Sequence, residues 1–330
     1  MRCSIVINNC NYGRYLKQCI ESTLAQTVAA EVVVVDDGST DSSRDIIATF
    51  GDHIRPIYQE NRGQAVAINV GIAAARGDVV ALLDSDDWIL ETKVESINQA
   101  FHENPGADWL RHDLVLVDEN DSRVGGTLYD LPRATSPVFD YVRYGDTAAT
   151  TSCLAFRREF LVSSVGEVPI LFLAAADSFL KCAAALLGEV VDVPEALGVR
   201  RLHSGQMTSR YGISAARVEG RIRYREACAL HAAELGQRAG HHELANADTW
   251  WQHRAFVQAS CLCDPITSRL SAWGRYVRSL QRSNLSPLSK MAFGFREGVL
   301  ALTPRRSFPT MWWMSHYGRP VLRRANPAIR

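Results

Sequence analysis

The chain has no net charge. Its 330 residues include 36 lysines and arginines and 36 aspartates and glutamates, so the formal charge at pH 7 is zero. A protein that binds duplex nucleic acid normally carries a basic surplus that neutralises the phosphates. The charge balance therefore predicts that nucleic acid is not a partner.

Long apolar runs are also absent from the sequence. Apolar stretches such as residues 32–35 and 79–83 have the length of a strand and fall far short of the ~20 residues that cross a bilayer. We therefore expect no transmembrane helix. A strand-like run begins at Ser4 and leaves no room for a signal peptide, which favours a cytoplasmic location.

Two common cofactor motifs are missing. The eight cysteines form no C-x-x-C pair with zinc-binding spacing, and several lie in apolar stretches, so we expect reduced and mostly buried thiols. No G-x-G-x-x-G follows the first predicted strand, which argues against a dinucleotide-dependent dehydrogenase. The hydrophobic fraction of 47% nevertheless provides for a large core.

Strand-like and helix-like periods alternate from the N-terminus to about residue 117. Apolar positions repeat every three or four residues between four predicted strands, at residues 4–7, 32–35, 54–58 and 79–83. This alternation predicts an α/β fold with a largely parallel sheet flanked by helices. Beyond residue 212 the composition is typical of helices, so we expect one domain over residues 1–210 and a helical C-terminal region over 211–330.

The last fifty residues are strongly basic. Residues 281–330 contain nine lysines and arginines and a single acid, Glu297, and they include Trp312, Trp313 and Tyr317. Arginines interleaved with aromatic side chains suit an anionic membrane surface, which predicts peripheral association with the inner face of a membrane. Solvated terminal helices with snorkelling arginines explain the same composition, and both interpretations stay open.

Polar clusters follow three of the predicted strands. They are residues 8–11 (Asn-Asn-Cys-Asn), 36–39 (Asp-Asp-Gly-Ser) and 84–87 (Asp-Ser-Asp-Asp). Ligands of parallel sheets bind beyond the carboxyl ends of the strands, so we expect the three clusters to meet at one edge. Asn, Asp and Gly also punctuate ordinary loops, but three such clusters in succession favour a binding site.

The third cluster is a D-x-D triplet directly after a buried strand. Alternate residues of an extended segment point the same way, so Asp84 and Asp86 are predicted to face one ligand. Carboxylate oxygens favour Mg²⁺ or Mn²⁺, and an ion held by one or two carboxylates keeps positions free for substrate phosphates. Such an ion stabilises the charge that a departing diphosphate acquires.

Several blocks together resemble the inverting family 2 glycosyltransferases of GT-A fold. The resemblance begins with residues 4–16, Gln26-Thr27 and residues 33–41, and it continues through residues 61–63 and 69–78 to the D-x-D triplet. It implies a Rossmann-like GT-A domain with a helical C-terminal extension. It also implies the metal-dependent transfer of a sugar from a nucleoside diphosphate sugar to the hydroxyl group of an acceptor. The basic, aromatic tail favours a glycan or lipid-linked acceptor in surface glycan assembly.

The resemblance also implies roles for individual residues. The residues that match the nucleotide-sugar site are Asn8, Asn9, Asn11, Asp37, Asn61, Gly63, Asp84 and Ser85. Asp86 matches a ligand of the Mg²⁺ or Mn²⁺ ion, and His203 matches a histidine that joins the metal or the diphosphate. Asp177, in the run Ala-Asp-Ser-Phe-Leu at 176–180, matches the catalytic base that removes the proton of the acceptor hydroxyl.

Each of the last two assignments has a structural alternative. An aspartate at a helix start commonly binds the free backbone N–H groups there, which is an alternative role for Asp177. A histidine in a polar loop is commonly solvated, which is an alternative for His203, although its neighbouring arginines suit phosphate oxygens.

Three positions depart from the family pattern. Cys10 replaces an aromatic residue that packs on the base, so Tyr12 is the remaining candidate for stacking. Ala176 replaces the first acid of the usual acidic pair, and Ala183 replaces an arginine, so another residue must hold that part of the site. A degenerate nucleotide-sugar-binding protein is therefore one alternative function. A sugar nucleotidyltransferase is another, disfavoured because residues 8–13 contain one glycine where those enzymes have a glycine-rich loop.

Overall fold

The computed structural model describes residues 1–129, 149–169 and 176–206, and beyond these it describes positions 235, 240, 270, 273–274, 276–278, 280–281, 287 and 291. The chain divides into two compact units, residues 1–141 with 146–208 and residues 142–145 with 209–330. The predicted domain boundary near residue 210 stays a prediction, and the predicted helical region with its basic, aromatic tail lies almost wholly outside the described residues. In the part of the chain that is described, no helix is long and apolar enough to cross a membrane.

The described ranges contain nine strands and six α-helices. The strands are β1 (Cys3–Asn9), β2 (Glu31–Asp37), β3 (Arg55–Gln59), β4 (Val79–Asp84), β5 (Trp88–Ile89), β6 (Trp109–Val117), β7 (Arg123–Thr127), β8 (Leu154–Arg157) and β9 (Val190–Arg201). The helices are α1 (Gly13–Leu24), α2 (Ser43–Ala48), α3 (Gln64–Ala74), α4 (Lys93–Glu103), α5 (Arg158–Phe160) and α6 (Ala176–Leu187). The strands form one sheet in the order β3-β2-β1-β4-β8-β6-β9-β5, with β7 paired to β6.

The first four strands are parallel, as their unbroken apolar runs predict. β1 pairs with β2 and β4, and β2 pairs with β3, all in parallel. The rest of the sheet is mixed: β8 is antiparallel to β4 and β6, β5 is antiparallel to β9, and β6 is parallel to β9. The largely parallel sheet expected up to residue 117 is therefore limited to β1–β4, because β5 and β6 pair with strands that come later in the sequence.

Helices cover both faces of the parallel half, because its strands are apolar on both sides. On one face, Ile5 of β1 lies in a buried cluster with Leu16 of α1 and Phe101 of α4. On the other face α3 packs so closely that a Cβ on Gly71 would meet Val6 Cγ1 at 2.2 Å. The two helical layers hold the strands, and therefore their carboxyl ends, in fixed positions.

The five described cysteines are thiols and not disulfides. Cys3, Cys19, Cys153 and Cys182 are buried, and Cys10 is half-buried. The other three cysteines lie outside the described residues. Where the structure describes them, the thiols are therefore reduced and mostly buried, as expected.

The three polar clusters lie side by side because β1 is the strand between β2 and β4. Asn9 of β1 is in register with Asp36 of β2, and Asn8 is in register with Asp84 of β4. The expectation that the clusters meet at one edge of the sheet is confirmed.

Replacing Gly71 by alanine tests the close packing of α3 on β1. The new Cβ requires Val6 or the helix to shift, so we expect the variant to lose about 1–3 kcal/mol of unfolding free energy. Urea unfolding measures the loss. Gly106→Ala is the matched control, because no heavy atom lies within 4 Å of its new Cβ, and it should stay within about 0.5 kcal/mol of the wild type. Equal stability of the two variants would contradict the packing argument.

Candidate active site

One cavity of about 1020 Å³ opens at the carboxyl edge of β1, β2 and β4. Every residue that the sequence predicts for the site lines it: Asn8, Asn9, Asn11, Asp37, Asn61, Gly63, Asp84, Ser85, Asp86, Asp177 and His203. The structure therefore brings together residues from six separate segments of the chain. The contacts of each residue show which side chains face the cavity interior and which bind the neighbouring loops that form its walls.

Asp37 holds the segment 61–63 against the end of β2. Its carboxylate accepts hydrogen bonds from the backbone N–H groups of Arg62 and Gly63, both at 2.8 Å, and from Gln59 Nε2 at 2.7 Å. The next residue, Gly38, has a φ of +71°, and a Cβ there would meet the Asn61 backbone nitrogen at 2.5 Å. A glycine at this position is what allows the two loops to approach each other.

Two asparagines hold the loop after β1 to the loop after β2. Asn11 has a φ of +59°, which asparagine tolerates better than most residues, and its Oδ1 accepts a hydrogen bond from the Thr40 backbone at 2.7 Å. Asn9 Nδ2 donates to Asp36 Oδ1 at 3.0 Å and to Ser39 Oγ at 3.1 Å. Because its side chain is buried, Asn9 shapes the cavity floor.

The D-x-D segment places three carboxylates within a small volume. One oxygen from each of Asp84, Asp86 and Asp87 lies within 4.8 Å of the other two. Asp87 is buried and accepts hydrogen bonds from Ser152 Oγ at 2.6 Å and from the Arg201 backbone at 3.1 Å. These bonds commit Asp87 to the fold and leave Asp84 and Asp86 as the carboxylates available to a ligand.

Asp84 lies at the centre of this crowding. Its Oδ1 accepts hydrogen bonds from Asn8 Nδ2 and from Gln64 Nε2, both at 3.2 Å. Burial, followed by repulsion from the Asp86 and Asp177 carboxylates, raises the pKa of Asp84 to about 7. A cation between these groups would relieve the repulsion. Oxygen donors from two or three carboxylates, with an imidazole nearby, are a donor set that suits Mg²⁺ or Mn²⁺.

His203 follows the end of β9 and lies against the D-x-D segment. Its Nε2 is 3.0 Å from Asp86 Oδ2, and only 4% of its side chain is exposed, so it is not a solvated loop residue. The ring packs at 4.8 Å from the ring centre of Tyr15 and at 5.7 Å from that of Tyr12. Tyr12 donates a hydrogen bond to the Gly205 carbonyl at 3.3 Å, so the segment after β9 is tied to the start of α1.

Arg201 explains why the end of β9 lies here. Its guanidinium is 4.4 Å from the ring centre of Tyr15 and 4.8 Å from that of Trp88, and it forms an ion pair with Asp121 at 2.7 Å. Two aromatic faces and a carboxylate account for its burial. Arg201 therefore belongs to the scaffold, and its neighbour Arg200 is the one of the pair that lines the cavity.

Asp177 lies in the first turn of α6 and faces the same cavity as Asp86. Its Oδ2 is 3.5 Å from Lys181 Nζ on the next turn of the helix. Its negative charge also contributes to the raised pKa of Asp84, which lines the same cavity.

Several polar cavity residues were not predicted from the sequence. Arg14 and Arg62 line the cavity within blocks that carried the resemblance, Gln64 directly follows one of these blocks, and Glu119 lines the cavity from the loop after β6. A basic residue within such a block was the signal available for Arg14 and Arg62. Glu119 had no such signal, because its position depends on the turn between β6 and β7.

The charges that line the cavity are mainly negative. Seven acids line it, namely Asp37, Asp41, Asp84, Asp86, Asp87, Glu119 and Asp177, against the three arginines Arg14, Arg62 and Arg200. Burial acts to lower the pKa of Arg200, but Tyr129 and the D-x-D carboxylates raise it on balance. An excess of carboxylates repels a diphosphate, and a cation in the cavity would offset this repulsion.

Replacing Asp84 by asparagine tests the raised pKa. An unfolded aspartate loses its proton near pH 3.9, whereas the folded carboxyl keeps it up to about pH 7, so rising pH between these values favours the unfolded chain. We expect the wild type to lose stability relative to Asp84→Asn over this range, by at most about 1.4 kcal/mol per pH unit, and no further above pH 7. Urea unfolding in EDTA at several pH values measures it. The exposed Asp52→Asn is the control, and a difference independent of pH would contradict the assignment.

Comparison with known proteins agrees with this geometry. The family model described as glycosyl transferase family 2 matches residues 4–162. An uncharacterized glycosyltransferase of Nostoc, alr2836, is 37% identical over 211 residues, which are 62% of this chain and 65% of that protein. The glycosyltransferase GlyG of Streptococcus pneumoniae is 38% identical over 123 residues, 36% of this chain and 40% of that protein. The matches thus span less than two thirds of these relatives.

Solved structures share the fold at low identity. TarS residues 1–349 of S. aureus, in complex with UDP, superpose with a TM-score of 0.65 at 17% identity, covering 97% of this chain and 93% of that one. The mannosyltransferase PcManGT of Pyrobaculum calidifontis, in complex with GDP-Man and Mn²⁺, gives a TM-score of 0.55 at 18% identity, covering 94% and 83%. The similarity to glycosyl transferase family 2 thus extends over residues 4–162, and the chain has the GT-A fold that these solved structures share.

Proposed function

We propose that the protein is a metal-dependent, inverting glycosyltransferase that moves a sugar from a nucleoside diphosphate sugar to the hydroxyl group of an acceptor. The observation that carries the proposal is that Asp86, His203 and Asp177 line a single cavity. The donor class is supported by the solved relatives, since TarS binds UDP and UDP-GlcNAc and PcManGT binds GDP-Man.

The nucleotide end of the donor would bind at the loops after β1 and β2. Asn8, Asn11 and Asn61 carry amide groups at the cavity wall, and Asp37 and Gly63 hold the shape of that wall. Ser85, which lies between Asp84 and Asp86 in the sequence, also lines the cavity wall.

The diphosphate would lie between the arginines and the D-x-D segment. Arg14 and Arg62 line the cavity on the nucleotide side, and guanidinium groups bind phosphate oxygens in a bidentate way. Asp86 and His203, with Asp84 beside them, are the residues that would hold Mg²⁺ or Mn²⁺. Bound there, the ion would stabilise the negative charge that develops on the leaving diphosphate.

Asp177 would act as the general base. In a single displacement, the acceptor oxygen forms a bond to the anomeric carbon while the bond from that carbon to the diphosphate oxygen breaks. The acceptor proton passes to the Asp177 carboxylate, and the electron pair of the broken bond leaves with the diphosphate. Attack opposite the leaving group inverts the anomeric configuration.

The acceptor that we propose is a glycan or lipid-linked glycan at the cytoplasmic face of a membrane, in surface glycan assembly. The support is the excess of eight positive charges, interleaved with aromatic residues, in residues 281–330. Each basic residue near an anionic surface contributes about 1 kcal/mol to binding.

Release of nucleoside diphosphate tests the proposed reaction. Purified protein is incubated with UDP-GlcNAc, UDP-glucose, UDP-galactose and GDP-mannose in Mn²⁺, in Mg²⁺ and in EDTA. We expect release with at least one donor, its loss in EDTA, and its loss in Asp86→Asn with metal present. Release that persists in EDTA would contradict metal dependence. Donor binding without release over a broad acceptor panel would favour the degenerate binding protein.

Replacing Asp177 by asparagine separates catalysis from donor binding. The amide cannot take the acceptor proton, so we expect transfer to fall by about 10²–10⁴-fold. Donor binding should remain, because Asp177 is not among the nucleotide-side residues, and the nucleoside diphosphate with Mn²⁺ should raise the melting temperature as in the wild type. Initial rates and thermal shifts measure the two effects. Transfer at the wild-type rate would exclude Asp177 as the base.

A further inference from the structure

We propose that Lys181 is a positioning residue for Asp177 and holds that carboxylate in its reactive orientation. The inference rests on the proposed function, in which Asp177 is the base. It concerns a buried lysine that sequence reasoning did not single out.

The two side chains lie one helical turn apart on α6. Lys181 Nζ is 3.5 Å from Asp177 Oδ2, and the exposed fractions of the two side chains are 5% and 19%. An acid placed four residues before a base on a helix is the favourable order for such a pair. Because the pair is largely screened from water, its attraction is stronger than that of an exposed pair.

The burial of Lys181 lowers the stability of the fold unless its charge is compensated. Its helical neighbours Phe179, Leu180 and Cys182 are buried and apolar, and burying an ammonium group among them requires compensation. Replacing a buried ion pair by apolar residues is often neutral or stabilising, so packing does not explain a lysine here. A role for its charge at the neighbouring carboxylate does explain it.

A second contact links Lys181 to the D-x-D segment. Its Nζ donates a hydrogen bond to the Ala149 carbonyl at 2.7 Å. Three residues later, Ser152 Oγ donates to Asp87 Oδ2 at 2.6 Å and accepts from the Asp84 backbone at 3.2 Å. The short segment 149–152 therefore touches the lysine at one end and the D-x-D carboxylates at the other.

This arrangement fixes the base relative to the donor site. By binding Oδ2, the ammonium restricts rotation of the Asp177 carboxylate and leaves Oδ1 as the oxygen that takes the acceptor proton. By binding Ala149, it sets the distance between Asp177 and the D-x-D segment. A displacement of about 1 Å in such a group costs on the order of 100-fold in rate.

Lys181→Met tests the inference, because methionine keeps most of the length and loses the charge. We expect kcat for nucleoside diphosphate release to fall about 100-fold, with KM for the donor within about twofold of the wild type. Lys181→Arg restores a cation, so its kcat should be at least about tenfold higher than that of Lys181→Met. Lys17→Met is the matched control: Lys17 also forms an i,i+4 pair on a helix, with Glu21 at 3.7 Å, but both side chains are exposed, and its kcat should be unchanged.

A second comparison shows that Lys181 acts through Asp177. In the Asp177→Asn background, Lys181→Met should cause no further loss of kcat, whereas an equal loss in both backgrounds would overturn the inference. If Lys181→Met fails to fold, Lys181→Gln carries the same comparison, and the thermal shift with UDP or GDP and Mn²⁺ shows that the donor site is intact. A parallel loss of kcat and donor affinity, or a kcat within twofold of the wild type, also overturns it.

The two proposals fail differently. A wild-type chain that releases no nucleoside diphosphate from any donor of the panel overturns the proposed function, and this inference with it. A wild-type chain that turns over while Lys181→Met keeps its rate overturns the inference alone.

Discussion

Mutual repulsion between buried carboxylates is the constraint on which the described structure depends. Four acids, Asp84, Asp86, Asp87 and Asp177, converge on one cavity at the edge of the sheet. Such groups stay ionised only where hydrogen bonds or positive charges compensate them. Each acid has a different compensating partner. Asp87 has Ser152 and the Arg201 backbone, Asp86 has His203, and Asp177 has Lys181. Asp84 is bound by the neutral amides of Asn8 and Gln64. Burial and mutual repulsion raise the pKa of Asp84 to about 7 and also raise the pKa of Asp87. The repulsion is therefore concentrated in the D-x-D segment, where a cation is expected.

The parallel half of the sheet and its polar edge could be predicted from the sequence for a topological reason. Apolar runs without alternation specify strands that are covered on both faces, and parallel strands necessarily end at the same edge. Residues 8–11, 36–39 and 84–87 directly follow such runs, so their meeting required no knowledge of long-range contacts. The hydrogen bonds that hold the individual side chains of these clusters could not be predicted in the same way. Asn9 binds Asp36, 27 residues away, and Asp87 binds Ser152, 65 residues away, and such long-range partners cannot be read from a local sequence pattern.

The second half of the sheet could not be predicted, because its pairing is not sequential. β8 inserts between β4 and β6, and the two-residue strand β5 pairs with β9 more than a hundred residues later. Alternation and propensity carry no information about such insertions. Arg200 and Arg201 show the consequence. They are neighbours in the sequence, yet Arg200 lines the cavity whereas Arg201 packs against Tyr15 and Trp88.

Lys181 is a similar case. The missing arginine at position 183 indicated that another residue must hold that part of the site, but only the helix geometry identifies a candidate one turn from Asp177.

The mixed half of the sheet matters because it brings the segment after β9 next to the D-x-D segment after β4. β9 runs parallel to β6, with register shifts at residues 112–114, and antiparallel to β5, which begins one residue after Asp87. This pairing brings Arg201 and then His203 to the D-x-D segment, so that Asp86 meets its imidazole only when the whole sheet has formed. An ion bound by Asp86 and His203 would therefore bind the folded chain in preference to the unfolded one. By mass action, it would stabilise the sheet that brings these two residues together. Formation of the second half of the sheet and assembly of the Asp86–His203 pair are in this way linked.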